Sequence, residues 1–312
     1  MERKKIVAAL SILIAISNSG LVLALGAANQ NKLDVVYKYE PVANWPQLPK
    51  GLAFDNVTGI YTDAAGKVYA AASKENGIFV FDAAGKYLTA WGKGIIKNKH
   101  GIRIYGDSAW VTDLDNHQVH EFTLDGKLIR SFGTKGEYGT DETHFKRPSD
   151  VAIASNGDIY ISDGYGNSRV VCFAPDGTFK KTWGTKGSKP GQFDKPHNIA
   201  IDAKDRIYVA DRSNYRIQIF TPDGKFLNQW KNVGKPFGLY ISPDQKMYVA
   251  DGEGNRILIM NLKGEILAQF GQSGDGPGQF DVVHSIYVDE KGNIYTSEAG
   301  GKRIQKFVPV RK

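Results

Sequence analysis

The chain has 312 residues, with 40 Lys and Arg against 33 Asp and Glu, 41% hydrophobic residues and 35 glycines. That apolar share buries a core and excludes wholesale disorder; glycine exceeds its usual share of about 7% and, beside 15 Tyr, 15 Phe and 5 Trp, points to short strands joined by tight turns. The formal charge of +7 falls to 37 positive against 32 negative residues beyond residue 28, with no run of five like charges. A dispersed, mildly basic surface of this kind gives no reason to expect a nucleic-acid partner. The single cysteine, Cys172, excludes an internal disulfide and a cysteine zinc cluster.

Residues 1–28 begin with Arg3, Lys4 and Lys5 and continue as an apolar run from Ile6 to Ile16. After a polar break at residues 17–20 the apolar run resumes at Leu21–Leu25 and ends in Gly26, Ala27 and Ala28. A positive start, an apolar middle and small residues at the end predict a signal peptide. The stretch from Ile6 to Ala28 is also long enough for a membrane anchor, which is the alternative and the only expected membrane contact. Both readings place the remainder outside the cytoplasm: secreted, periplasmic or at the cell surface.

Beyond residue 51 one unit recurs. Its clearest copy runs Pro196–Asp202, Arg206–Asp211, Tyr215–Phe220 and Pro222–Leu227, four short apolar or alternating pieces separated by Gly, Asp, Asn or Pro. These are strands A to D of an antiparallel sheet linked by hairpins. Alignment of strand A places Thr58, His100, Ser149, His197, Phe237 and His284 at one equivalent position, at intervals of 42, 49, 48, 40 and 47 residues. Repeats of that length predict an all-β, six-bladed propeller formed by residues 29–312 as one domain. The last unit supplies strands A to C only, at Ser285–Val288, Asn293–Thr296 and Arg303–Val308. The segment Leu33–Tyr39 is expected to add its fourth strand and close the ring, which removes an open edge.

In a propeller the innermost strand A lines the channel, so residues at its start ring one mouth, and the B–C loops rise around that mouth. Three of the six ring positions are histidine, on alternate blades: His100, His197 and His284. Alternate blades of a six-fold ring are about 120° apart, so the imidazoles converge on the axis. Three histidines with an open fourth position describe a catalytic zinc site. His117, His120 and His144 do not share this position and are assigned no role.

The B–C loops Asp113–Asn116, Asp163–Arg169, Asp211–Arg216 and Asp251–Arg256 repeat an Asp and an Asn-Arg element. Repetition argues for structure: the Asp caps turn amides and the Arg staples neighbouring loops. What differs between blades is the better guide to chemistry. Blade three alone carries Tyr165, and blade four alone carries Arg212 directly after its Asp. A phenol beside a dication has its pKa lowered and serves as a base, and an arginine binds a carboxylate by two parallel hydrogen bonds.

The units resemble those of the NHL family, with Gly191–Pro196 matching Gly-x-Phe-x-x-Pro and Asp211–Ile217 matching Asp-x-x-Asn-x-Arg-Ile; the resemblance spans nearly all of residues 51–308. Within it, Ile161–Arg169 resembles the signature of the peptidylglycine α-amidating lyases, propeller enzymes that cleave peptidyl-α-hydroxyglycine to a peptide amide and glyoxylate. The pairs His100-Gly101 and Pro196-His197 also fit the local pattern of that family. The resemblance implies zinc on His100, His197 and His284, a catalytic role for Tyr165 and an active-site role for Arg212, the five residues that spacing selects. It also shows departures. A further family arginine aligns near Ser73, with Lys74 adjacent. The expected calcium-binding aspartate is Ser285, which speaks against a structural calcium. Gly166 stands where animal members use a disulfide cysteine, and the copper monooxygenase domain that supplies the lyase substrate in animals has no counterpart in the 312 residues.

The expectation is thus an exported, monomeric, zinc-dependent carbon–nitrogen lyase acting on a small peptide or amide-type substrate. The alternative is a non-catalytic propeller that binds a peptide, glycan or protein through its loop-rich mouth.

Overall fold

The computed structural model describes residues 38–73, 75 and 77–310. The leader (residues 1–28), Lys74 and residues 33–37 of the expected closing strand lie outside them. Among the described residues no helix is long and apolar enough to cross a membrane.

Six four-stranded antiparallel sheets follow one another around a ring, the expected six-bladed propeller. Blade two is formed by Lys99–Tyr105, Ser108–Asp113, Gln118–Thr123 and Leu128–Phe132, and blade four by Pro196–Ile201, Ile207–Asp211, Arg216–Phe220 and Phe226–Trp230. Strands B and C are almost wholly buried, because both faces of each sheet pack on neighbouring blades. Their sequences therefore read as continuous apolar runs such as Ile207–Ala210, whereas outer strands such as Phe226–Trp230 are partly exposed and mix polar with apolar residues. Each of the six blade interfaces holds its own apolar cluster: Phe79, Trp45 and Tyr295 join blades one and six, and Cys172, Phe193 and Ile199 join blades three and four. The lone cysteine is a small buried hydrophobe at that interface.

Ring closure follows the expected topology. Blade six takes strands Val283–Val288, Ile294–Glu298 and Arg303–Pro309 from the C-terminal end and Tyr39–Pro41 from the N-terminal end. Tyr39 pairs with Pro309 and Pro41 with Phe307, and flanking bonds extend the match from Lys38 to Val42. The closing strand thus begins where the expected one, Leu33–Tyr39, ends. A proline is tolerated there because the outermost strand needs no donor on its open side. Tyr39 stacks on Phe270 of blade five with ring centroids 5.5 Å apart, so the joint is sealed by packing as well as pairing.

One side chain ties the hub together. Arg103 of blade two reaches into the channel, where its Nη2 donates to Asp150 Oδ2 at 2.6 Å, Asn198 Oδ1 at 2.9 Å, and the carbonyls of Ile199 at 3.2 Å and Leu239 at 3.3 Å. Four consecutive blades thereby share one guanidinium. Asp150 is 1% exposed in its side chain, so removing its partner leaves a buried carboxylate without a counter-charge. The Arg103→Met variant is expected to lose about 3–5 kcal/mol in urea unfolding, and Asp150→Asn in the same background is expected to recover most of that loss.

Candidate metal centre and catalytic mouth

The six ring residues sit where strand A begins, and three backbone features set their geometry. First, glycine follows the ring residue on blades one, two and five. A Cβ at Gly101 would stand 2.9 Å from the Ser149 carbonyl oxygen, and one at Gly238 would stand 2.8 Å from that of His284. Without these glycines adjacent blades could not approach so closely. Second, each ring histidine donates its Nδ1–H to the ring carbonyl of the next blade. His100 bonds Ser149 O at 2.6 Å, His197 bonds Phe237 O at 2.6 Å, and His284 bonds Thr58 O at 2.7 Å. A carbonyl only accepts, so all three neutral rings carry hydrogen on Nδ1 and a lone pair on Nε2. Third, the alternation of blades makes the arrangement symmetric: all three pairs of imidazole centroids are 4.8 Å apart.

The three histidines are 1–4% exposed. Burial, followed by the charge of His284, holds His100 well below the ordinary histidine range. Burial and the neighbouring ring histidines do the same for His197. For His284 burial lowers the value to about 3. The centre is therefore a set of neutral acceptors whose candidate ligand atoms lie within 4.8 Å of one another. Donors to satisfy them are scarce. Tyr165 Oη lies 2.9 Å from His197 Nε2 and 3.1 Å from His100 Nε2, and its single proton serves one of them at a time. Three lone pairs aimed at one point, each ring oriented by a backbone carbonyl, fit a dication with imidazole preference such as zinc.

Tyr165 and Arg212 were singled out as exceptions in two different loops, and the structure brings both to this centre. They are also structural equivalents. The Tyr165 N–H donates to the Arg147 carbonyl, and the Arg212 N–H donates to the Lys195 carbonyl, each acceptor lying two residues before the ring position of its blade. Leu114, Gly252 and Ala299 make the same bond on blades two, five and six. These residues form a second tier above the histidine ring, and among the described residues of that tier blades three and four place a reactive side chain in it. Blade three reaches this register through one extra residue, Gly164, which obscures the equivalence in the sequence.

Arg212 Nη1 donates to Tyr165 Oη at 3.3 Å, and its guanidinium carbon lies 4.5 Å from the Phe237 ring centre. Burial raises the Tyr165 phenol above its ordinary value, and the Arg212 charge opposes this. The lowered phenol pKa expected from the sequence presumes a dication, so it is not a property of these side chains alone. Phe237, a ring residue given no role from sequence, packs on His197 and His284 at 5.2 and 5.5 Å and floors Arg212. Its aromatic character at a ring position was the available signal. A cavity of about 290 Å³ opens over the centre, lined in part by His100, His284, Tyr165, Arg212, Phe237 and Arg147.

The repeated loop elements are structural, as their repetition implies. Asp211 accepts from the Asp194 N–H at 2.7 Å and from Arg216 Nε at 2.7 Å, and Arg216 continues to the carbonyls of Ser188 and Gln192. Asp163 with Arg169, Asp251 with Arg256 and Glu298 with Arg303 repeat the pattern. Ser285 is buried on strand A of blade six.

Comparison with known proteins places this architecture. The NHL-repeat model matches residues 145–173 and 193–220. NHL repeat-containing protein 3 of Mus musculus is 31% identical, over 78% of this chain and 76% of that protein. The chain belongs to the NHL-repeat family. This NHL-repeat chain is also 33% identical to a probable peptidyl-alpha-hydroxyglycine alpha-amidating lyase of Caenorhabditis elegans, over about half of each protein (49% of this chain, 48% of that one). Among solved structures, a streptogramin B lyase superposes with a TM-score of 0.59 and 17% identity over 88% of both chains, a likeness of fold.

The buried neutral imidazoles have a pH consequence. Their folded values lie below the unfolded value of 6.5, so the unfolded chain takes up protons first as pH falls. Their contribution to stability is complete above about pH 6.5 and declines as pH drops toward the His284 value of about 3. Metal-free protein is expected to show a lower urea midpoint at pH 5 than at pH 7.5. Its three imidazole NMR signals should stay in the neutral Nδ1–H form across that interval while the fold persists.

Proposed function

We propose that this protein is a zinc-dependent carbon–nitrogen lyase that converts a peptidyl-α-hydroxyglycine-type substrate to an amide and glyoxylate, outside the cytoplasm, with residues 1–28 as its export leader. The observation that carries this reading is the Tyr165 hydroxyl, set within hydrogen-bond reach of two ring imidazoles and of Arg212. The similarity to a lyase-named relative supports it.

His100, His197 and His284 would hold the zinc through Nε2. When bound, zinc supplies a Lewis acid that favours the ionised form of nearby hydroxyl groups. Arg212 binds the substrate carboxylate, its guanidinium carbon held 4.5 Å from the Phe237 ring centre at the cavity. Tyr165, as the phenolate, takes the proton of the substrate's α-hydroxyl. The carbon–oxygen double bond of glyoxylate forms as the carbon–nitrogen bond breaks, and the proton held by Tyr165 passes to the departing amide nitrogen. The proton count closes within one turnover, so no second acid is required. Arg212 lies beside the phenolic oxygen and stabilises its charged form.

Glyoxylate release from an α-hydroxyglycine peptide tests this reading. Zinc-supplied protein is expected to release it. Tyr165→Phe should lower kcat by about 10²–10⁴-fold, the scale of a lost acid–base group, with zinc content unchanged. His100→Ala should lose zinc and activity together. Full zinc occupancy without glyoxylate release would leave a binding propeller instead.

A further inference from the structure

Arg147 is an arginine of the mouth that the proposed chemistry leaves unused. It lines the same cavity as Tyr165 and Arg212, with its guanidinium carbon 5.9 Å from the Tyr165 ring centre; that of Arg212 is 5.4 Å from the same ring. Its backbone is held at φ +60°, a region uncommon for residues other than glycine. The N–H donates to His117 Nδ1 at 3.2 Å and the carbonyl accepts from the Tyr165 N–H at 3.2 Å, so bonds on both sides of the residue fix it there. Its charge is poorly matched. Among the described residues the Nε is buried without a hydrogen-bond partner, and Nη2 pairs with Asp115 Oδ1 at 3.3 Å, the two side chains being 43% and 39% exposed. An exposed pair of that kind contributes little.

The surroundings give this charge a direction. Among the described residues no Asp or Glu lines the cavity. At the position two residues before the ring, blades three, four and five carry Arg147, Lys195 and Lys235, while blades one, two and six carry Asn56, Asn98 and Val282. Lys235 is engaged with Glu253, but Lys195 Nζ lies 5.3 Å from the Tyr165 ring centre. The mouth is thus cationic on the side of blades three and four. Across it, Asn56, Thr58, Leu114 and Ala299 are uncharged, and the lysine on that side, Lys99, is buried with its ammonium bound to Asn56 O at 3.1 Å and Oδ1 at 3.2 Å.

We propose that Arg147 is a second carboxylate-binding residue, which selects substrates ending in a free carboxylate and fixes their direction: acid end over blades three and four, acyl chain over the wall of blades one, two and six, where the lysine of the lining, Lys99, is already bound to Asn56. The inference deepens the lyase reading and rests on it for the substrate class, an N-acylglycine derivative. The guanidinium carbons of Arg212 and Arg147 lie 5.4 and 5.9 Å from the Tyr165 ring centre, so a carboxylate there gains two charge-assisted partners, and a primary amide, carrying no charge, gains far less.

Equilibrium binding of N-benzoylglycine and of its primary amide to the zinc-supplied protein tests this. Neither probe has the α-hydroxyl, so turnover does not enter: charge-selective binding can stand where glyoxylate release fails, and the reverse. Wild-type protein is expected to prefer the acid. Arg147→Gln should weaken the acid about tenfold or more, the scale of a lost charge-assisted hydrogen bond, and leave the amide unchanged. Arg147→Lys should restore most of the loss. Asp115→Asn, an exposed change that also covers the case of a Gln variant that does not fold, should strengthen acid binding about two- to fivefold by freeing Arg147. No acid preference in the wild type, wild-type acid binding in Arg147→Gln, equal losses for acid and amide, or an unaltered acid affinity in Asp115→Asn would each overturn the proposal.

Discussion

The bond from each ring histidine to the ring carbonyl of the next blade is the interaction on which the rest of this molecule turns. It does two things at once. It joins blades two to three, four to five and six to one across the hub, and it assigns the hydrogen of every imidazole to Nδ1, so that every Nε2 lone pair faces the axis. A centre of neutral acceptors follows from closure of the ring, because only six equal steps bring the third histidine back to the Thr58 carbonyl. The pairing of Tyr39–Pro41 with the last C-terminal strand belongs to the same constraint. Were the ring open, blade six would not meet blade one and His284 would lose the partner that orients it.

The repeat divides labour between its constant and variable positions. Constant positions make the scaffold rigid: on blades two to six the acid that ends strand B binds a backbone amide of the incoming loop and, on blades three to six, an arginine of strand C. Variable positions on that rigid frame carry the chemistry. The second tier above the histidines reads Leu114, Tyr165, Arg212, Gly252 and Ala299, and its two reactive members are neighbours that share one hydrogen bond. A pair of reactive groups on adjacent blades needs no loop to move in order to meet.

The sequence carries the fold and the centre in different degrees. Six blades are legible because interblade packing forces strands B and C into apolar runs that recur at propeller spacing. The histidine triad is legible because rotational symmetry converts a sequence interval into an angle. Tyr165 and Arg212 are legible as exceptions to a repeat, but their equivalence is hidden by Gly164, an insertion whose register only the backbone bond to Arg147 discloses. The closing strand is legible in topology and shifted in position, since any short apolar stretch before blade one satisfies the pattern and pairing alone selects Tyr39–Pro41. Arg103 and Arg147 are illegible for one reason. Each is a lone arginine among many, and what gives it meaning is a direction: into the channel for Arg103, into the mouth for Arg147.

These assignments explain why the mouth is electropositive although the chain as a whole is only mildly basic. Asp163, Asp211, Asp251 and Glu298 all lie at the mouth end of their strands, yet each is bound into its own loop beside an arginine of the same blade. Their charge is cancelled locally and does not reach the axis. Arg212 has no ion-pair partner among the described residues, and Arg147 has only a half-exposed one at its edge. Local cancellation in the scaffold leaves two guanidiniums beside a buried phenol, with Lys195 near the same ring and Lys99 in the lining, so the charge that an entering ligand meets is positive. In a site walled by buried imidazoles that charge is weakly screened, so it acts on an anion more strongly than the same residues would on an open surface. The staples that hold the loops still are therefore also what makes the mouth selective for negative charge.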